Sequence, residues 1–208
     1  ANCHAWAETR FGAARGMTTV VAVILGTGIG GGIVLDGHLY RGGFGLAGEP
    51  GHVRVVPDGR LCGCGNRGCW EQYASGNALV REARDMADSS PSSLPYLMAA
   101  VAGDIDAITG PLVTEAAHAG DEGARRCFET IGRWVGQGLA DLATILDPAC
   151  FVVGGGPSDA GAVLIDPVRE SFAAALSGGA YRPHAQILAA ELGSAAGLVG
   201  AADLARIR

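Results

Sequence analysis

The chain of 208 residues carries a net charge of −6 without a basic stripe, so no electrostatic footprint for nucleic acid is present. Apolar residues at 49% are ample for a core, and aromatics at only 6% leave Ala, Val, Leu and Ile to fill it. No run nears the about 18 apolar residues of a membrane span. Six cysteines are too few for a disulfide scaffold at this length, so a cytoplasmic protein of one large domain, or of one and part of another, is expected.

Residues 3–14 read as the end of a helix, and "TTVVAVILGT" follows as a β-branched run of strand length. "GGIVLDG" and "HLYRG" are two further short strands joined at Asp36-Gly37, a hairpin signal, so residues 18–42 are expected to form a three-stranded meander. Residues 43–69 are loop-dominated except for "HVRVVP", which alternates like a strand. "WEQYASGNALVREARDMAD" predicts a helix broken at Ser75-Gly76, and "SSPSSLPY" a polar loop before a short helix near 94–102. From Glu115 to Leu146 the pattern is helical throughout and stops at Asp147-Pro148. "CFVVGGG" is a buried strand, residues 160–176 a helix, "AQILAAEL" a last strand and "AAGLVGAADLARIR" a last helix. Strands alternate with helices in this half, so the class is α/β.

"LCGCGNRGCWE" places Cys62, Cys64 and Cys69 in a C-x-C-x4-C spacing among glycines, with His52 ten residues upstream. Glycines permit the tight folding that brings such thiolates to one centre, and one His with three Cys makes a closed, structural zinc site. The three thiols cannot all pair, Cys62 and Cys64 are too close to bridge comfortably, and the redox spacing C-x-x-C is absent. A glycine-rich loop whose cysteines simply pack is the alternative. Cys3, Cys127 and Cys150 are isolated and read as core residues. His4, His38, His118 and His184 fall in no constellation.

Two glycine loops remain. "LGTGIGGGIV" (25–34) joins two strands, and its N–H groups with the Thr27 hydroxyl suit a phosphate, although a tight turn explains the glycines equally well. "VVGGGPSDAG" (152–161) runs strand, glycine turn and helix start, the layout that sets helix N–H groups beside a nucleotide.

"EPGHV" followed by "CGCGNRGCWE" resembles the signature of the ROK family of sugar kinases and repressors, E-x-G-H then C-x-C-G-x-x-G-C-x-E, with every position met. "LGTGIGGGIVLDG" resembles that family's second phosphate loop and "FVVGGG" its adenosine-side loop. "ANCHAWAETRFGAARG" and "GLVGAADLAR" resemble the actinobacterial glucokinases within it, so the likeness covers the whole chain. It implies an actin-like ATPase (ribonuclease H-like) fold. Residues 1–192 would be mainly the large C-terminal lobe, and 193–208 a terminal helix packed on the N-terminal lobe. It implies ATP-dependent phosphorylation of the glucose 6-hydroxyl, with Mg2+ on the nucleotide. It further implies zinc on His52, Cys62, Cys64 and Cys69, and sugar hydroxyls on Glu49, His52 and Glu71, all within loop 43–71. The nucleotide would meet Thr27, Gly28, Gly30, Gly31 and Gly32 on one side and Gly154, Gly155 and Gly156 on the other. A homodimer or tetramer is the family expectation. A sugar-sensing repressor domain and a kinase for another hexose, such as N-acetylmannosamine or fructose, are the alternatives.

One departure stands out. The family's general base is an Asp in a segment resembling E-N-D-A-N, and Ala1-Asn2 match only its last two letters. A D-x-G-G-T phosphate loop is also absent, so the chain reads as the C-terminal two thirds of a kinase. Without a group to take the hydroxyl proton, these 208 residues assayed with ATP and glucose are expected to show no turnover above background; robust turnover would overturn that expectation.

Overall fold

The computed structural model describes residues 1–206. It begins with α1 (Asn2–Phe11), followed by β1 (Val20–Leu25), β2 (Ile29–Leu35) and β3 (His38–Tyr40), the antiparallel meander expected. Asp36 and Gly37 turn the β2–β3 hairpin with φ of 50° and 74°, the left-handed pair that matches strand twist. A long loop follows, containing one 3-10 turn at Pro50–His52. Then come α2 (Glu71–Ala74), α3 (Gly76–Ser89), α4 (Pro95–Ala100), α5 (Gly110–His118) and α6 (Glu122–Leu146). The chain closes with β4 (Cys150–Gly154), α7 (Ala162–Ala175), β5 (Gln186–Ala189) and α8 (Ala196–Arg206). The expected continuation of the last helix through Ile207 and Arg208 lies outside the described residues.

The five strands make one sheet in the order β3-β2-β1-β4-β5. β1 is antiparallel to β2 but parallel to β4, and β4 is parallel to β5. Strand pleating sends Val21, Val23, Leu25, Phe151 and Val153 into the large core with α6 and α7, and Val20, Ala22, Cys150 and Val152 into a smaller one with Ala5 of α1. α1 lies so close to β2 that a Cβ on Gly32 would sit 2.5 Å from the Ala5 methyl, and one on Gly30 3.0 Å from that of Ala1. Likewise, α6 meets α7 through Gly132 and Gly136, where a Cβ would fall 2.7 Å from Pro167 Cβ and 2.5 Å from the Val168 carbonyl. Helix-interior glycine costs about 1 kcal/mol against alanine; here it lets two backbones touch.

α8 packs on α1 within the chain. Trp6 Nε1–H donates to Asp203 at 2.8 Å, and a Cβ on Gly200 would lie 1.9 Å from the Cys3 carbonyl. The buried Glu8 carboxylate accepts the amides of Ala13, Glu191 and Leu192 at 2.9, 3.2 and 2.9 Å, tying α1 to the segment that leads into α8. Leu198 faces away from these contacts, exposed.

Two local expectations change. "HVRVVP" is not a strand: Arg54 makes one isolated bridge to Cys69, while the amides of Val55 and Val56 both point at the Gly68 carbonyl, 2.9 and 3.2 Å away. The segment is bent onto the cysteine loop and has no straight partner. The helix from Glu115 to Leu146 is two helices, broken where Gly120 takes a φ of 92°. Asp121 then caps twice. One carboxylate oxygen accepts Gly123 and Ala124 at 3.1 and 3.2 Å at the start of α6, the other Tyr96 and Leu97 at 3.0 and 3.1 Å at the start of α4. Because four amides share this buried group, Asp121→Ala should destabilise the fold by about 2–4 kcal/mol, read as a lower urea midpoint at unchanged slope. Asp121→Asn, which keeps one acceptor oxygen, should cost less.

Candidate functional site

His52, Cys62, Cys64 and Cys69 come together, their ligand atoms all within 4.8 Å of one another. The Cys64 and Cys69 sulfurs are 3.6 Å apart, and His52 Nδ1 lies 3.7 Å from Cys62 Sγ. Ligands at about 2.0–2.3 Å around a tetrahedral zinc are themselves roughly 3.6–3.8 Å apart, so the set fits that ion. The loop closes on itself through Cys62 N–H to Asn66 O at 2.8 Å, and Gly65 turns it with a φ of 92°. Gly68 must be glycine, since a Cβ there would sit 1.6 Å from the Val56 carbonyl. The Asn66 backbone N–H beside Cys64 draws that thiol down to about 7, ready to ligate as thiolate. Cys62, against the pull of the Cys64 backbone N–H, is held up at about 12 by the Glu71 carboxylate and burial, and burial raises Cys69 as it raises the isolated Cys127, to about 12, and Cys150, to about 11. Cys3 is partly buried.

Glu71 connects this loop to the sheet. One carboxylate oxygen accepts from Cys62 Sγ at 3.0 Å and lies 3.8 Å from His52 Nδ1; the other faces the Ile29 amide at 3.4 Å. A Cβ on Gly28 would stand 2.2 Å from that second oxygen, so the glycine is what admits Glu71. Glu49 is exposed and precedes the 3-10 turn, its carbonyl accepting the His52 amide at 3.2 Å. It borders a cavity of about 220 Å³ that Gly31, Gly32 and Pro50 also line.

A larger cavity of about 550 Å³ lies between the β1–β2 turn, α3, α5 and the turn after β4. Thr27 and Gly156, two of the residues expected to meet a nucleotide, line it. The other proposed glycines stand elsewhere. Gly28 adjoins Glu71, and Gly30, Gly31 and Gly32 lie within β2, where a Cβ on Gly31 would strike Pro50 at 2.4 Å. Gly154 ends β4, and Gly155 crosses the Leu25 carbonyl at a distance no Cβ allows, 2.1 Å. At these positions the missing Cβ makes room for a neighbouring side chain or, at Gly155, for backbone, a need that composition alone does not separate from phosphate binding. Sequence reading missed Asn77, Thr114, Glu115, His118 and Asp159 on the cavity wall. The available signals were the helix starts at Ser75-Gly76 and Gly110-Pro111.

A family model described as "ROK family" matches residues 1–208. The chain belongs to the ROK family. It is 52% identical over 206 residues to the glucokinase of Streptomyces coelicolor, covering 99% of itself and 65% of that protein. To the glucokinase of Thermotoga maritima it is 36% identical over 208 residues, 100% of itself and 64% of the other. The crystal structure of a ROK family glucokinase from Streptomyces griseus in complex with glucose and AMPPNP matches with a TM-score of 0.96 at 56% identity, over 99% of this chain and 66% of that one. The chain therefore spans slightly less than two thirds of these relatives. Its mixed sheet is that of the actin-like, ribonuclease H-like ATPases, as expected for a ROK protein.

In this ROK chain the cysteine loop is clamped to the core by Trp70. Its buried indole N–H donates to the Trp134 carbonyl at 2.7 Å, and Tyr73 packs on the Trp134 ring with centroids 4.9 Å apart. Gly138 of α6 makes room for the indole, for a Cβ there would be 2.2 Å from Trp70 Cε2. Gly138→Ala should consequently destabilise the fold by about 1–3 kcal/mol, against the gain of about 1 kcal/mol that helix propensity alone would give. Chemical unfolding followed by tryptophan fluorescence decides between the two signs.

Proposed function

We propose that the chain forms the sugar-, metal- and nucleotide-holding part of a glucokinase, which transfers the γ-phosphoryl group of ATP to the glucose 6-hydroxyl. The observation that carries this reading is a shared turn. Thr27 lines the large cavity while its neighbours Gly28 and Ile29 adjoin Glu71 of the cysteine loop, so a phosphate donor and a sugar would meet across residues 26–29. The identity to glucokinases over nearly the whole chain supports glucose as the sugar. A cavity built against a glycine turn and two helix starts favours a kinase over a sugar sensor, which has no need of one.

The four ligands fit zinc, which when bound would brace the loop and, with all four positions taken by protein, do no chemistry on substrate. His52 turns Nδ1 to the sulfurs, leaving Nε2–H to donate to a sugar hydroxyl. Glu49 and Glu71 would accept from sugar hydroxyls and so fix the ring. Phosphoryl transfer is chiefly positioning and charge neutralisation, supplied by the Thr27 turn with Mg2+ on ATP. No residue of this chain is assigned as the base. Asp36 and Asp58 serve turns, at φ of 50° and 55°. Free thiols throughout suit the reducing cytoplasm, our proposed location.

Purified protein should hold about one zinc per chain, and Cys64→Ser should remove it. Glucose affinity measured by calorimetry should fall with the metal by about tenfold or more, whereas other hexoses should bind more weakly than glucose from the outset. A folded, zinc-free wild type that binds glucose normally would overturn the bracing role.

A further inference from the structure

Nucleoside triphosphates and inorganic polyphosphates are two chemically distinct kinds of phosphoryl donor, and the side chains on the wall of the large cavity bear on the choice between them. We infer that Glu115 and Asp159 are donor-specificity residues, which accept hydrogen bonds from a nucleoside and exclude a polyphosphate chain. This rests on the kinase reading above and goes one step beyond it.

The chain has no lysine, and of its 15 arginines none lines the cavity among the described residues, so the one basic group on the wall is the imidazole of His118, whose Nε2 lies 3.2 Å from the Ala160 carbonyl. The wall carries two carboxylates, Glu115 on α5 and Asp159 on the turn after β4. Glu115 is held in place by the Tyr96 hydroxyl, which donates to it at 2.7 Å. Leu79, Val80, Pro111 and Pro157 supply apolar surface between them, suited to the flat face of a base.

The phosphate end of the cavity offers neutral donors: the Thr27 hydroxyl and the amides at the start of α5 and of the turn after β4. Gly76 N–H of α3 is already spent on the Gly26 carbonyl at 2.8 Å. Such a cradle holds a short phosphate tail carried by Mg2+. A longer polyanion would have to continue past two carboxylates with no arginine or lysine to compensate it and only the His118 imidazole nearby, and like charges at close range repel. A nucleoside in the same place is uncharged, buries its base on the apolar floor and gives its ribose hydroxyls to carboxylate acceptors. The chemistry of the wall therefore rewards a nucleoside and penalises a chain of phosphates.

The test is competition for a fluorescent methylanthraniloyl-ADP probe with Mg2+ present, backed by calorimetric titration of ATP itself. Adenosine, ATP, tripolyphosphate and long-chain polyphosphate are the competitors. Adenosine should displace the probe by itself, and both inorganic chains should bind at least about tenfold more weakly than ATP, a gap of 1.4 kcal/mol or more. That gap should narrow at high salt, which screens the repulsion. In Glu115→Gln with Asp159→Asn the inorganic chains should gain about tenfold and adenosine should weaken; both residues are exposed, so the melting temperature should hold. Should polyphosphate match ATP on the wild type, or the paired substitution change neither ligand, the inference fails while the kinase reading stands. Should neither ATP nor the probe bind, the kinase reading falls and takes the inference with it.

Discussion

The tight turn between β1 and β2 is the constraint on which the rest of the site depends. Its own backbone closes through the Gly26 amide and the Gly28 carbonyl at 2.9 Å, and the Gly26 carbonyl anchors the start of α3 at Gly76. Thr27 opens onto one cavity, and Gly28 and Ile29 receive the Glu71 carboxylate from the other side. Any side chain at position 28 would occupy the place of that carboxylate. A single turn thus sets the spacing between the cysteine loop and the large cavity.

Around this turn, rigidity comes from backbones brought unusually near one another. Gly30 and Gly32 let α1 lie on β2, Gly132 and Gly136 let α7 lie on α6, and Gly138 admits Trp70. Dense contact of this kind offsets the scarcity of aromatics, since dispersion between close backbones substitutes for large side chains. Buried carboxylates complete the frame: Glu8 and Asp121 each gather amides from separate segments rather than pairing with cations. Fixed backbone dipoles stabilise them there, and each joins elements that are far apart in sequence.

The cysteine loop illustrates a division of labour between local and distant forces. Its spacing and glycines specify the closure through Cys62 and Asn66, and its position relative to the sheet is set by Trp70, Tyr73 and Trp134. The alternating "HVRVVP" misled because alternation signals a strand only when a neighbouring strand is available. Here the neighbour is the loop itself, and pairing stops after Arg54 and Cys69. The break at Gly120 was equally hidden. Apolar periodicity runs through it, and only Asp121, reaching two helix starts at once, makes interruption favourable.

The sequence by itself determined the α/β class, the β1–β3 meander, the helix break at Ser75 and the convergence of His52, Cys62, Cys64 and Cys69. Each of these depends on residues close in the chain, where spacing and turn chemistry act directly. The tertiary structure alone decided which glycines line a cavity. Thr27 and Gly156 line the cavity, whereas Gly30, Gly31, Gly32 and Gly155 serve packing. It also brought Glu115, His118 and Asp159 onto one wall from helices and turns that share no motif. A glycine looks the same whether it makes room for a phosphate or for another backbone, and only the fold supplies the neighbour that tells them apart.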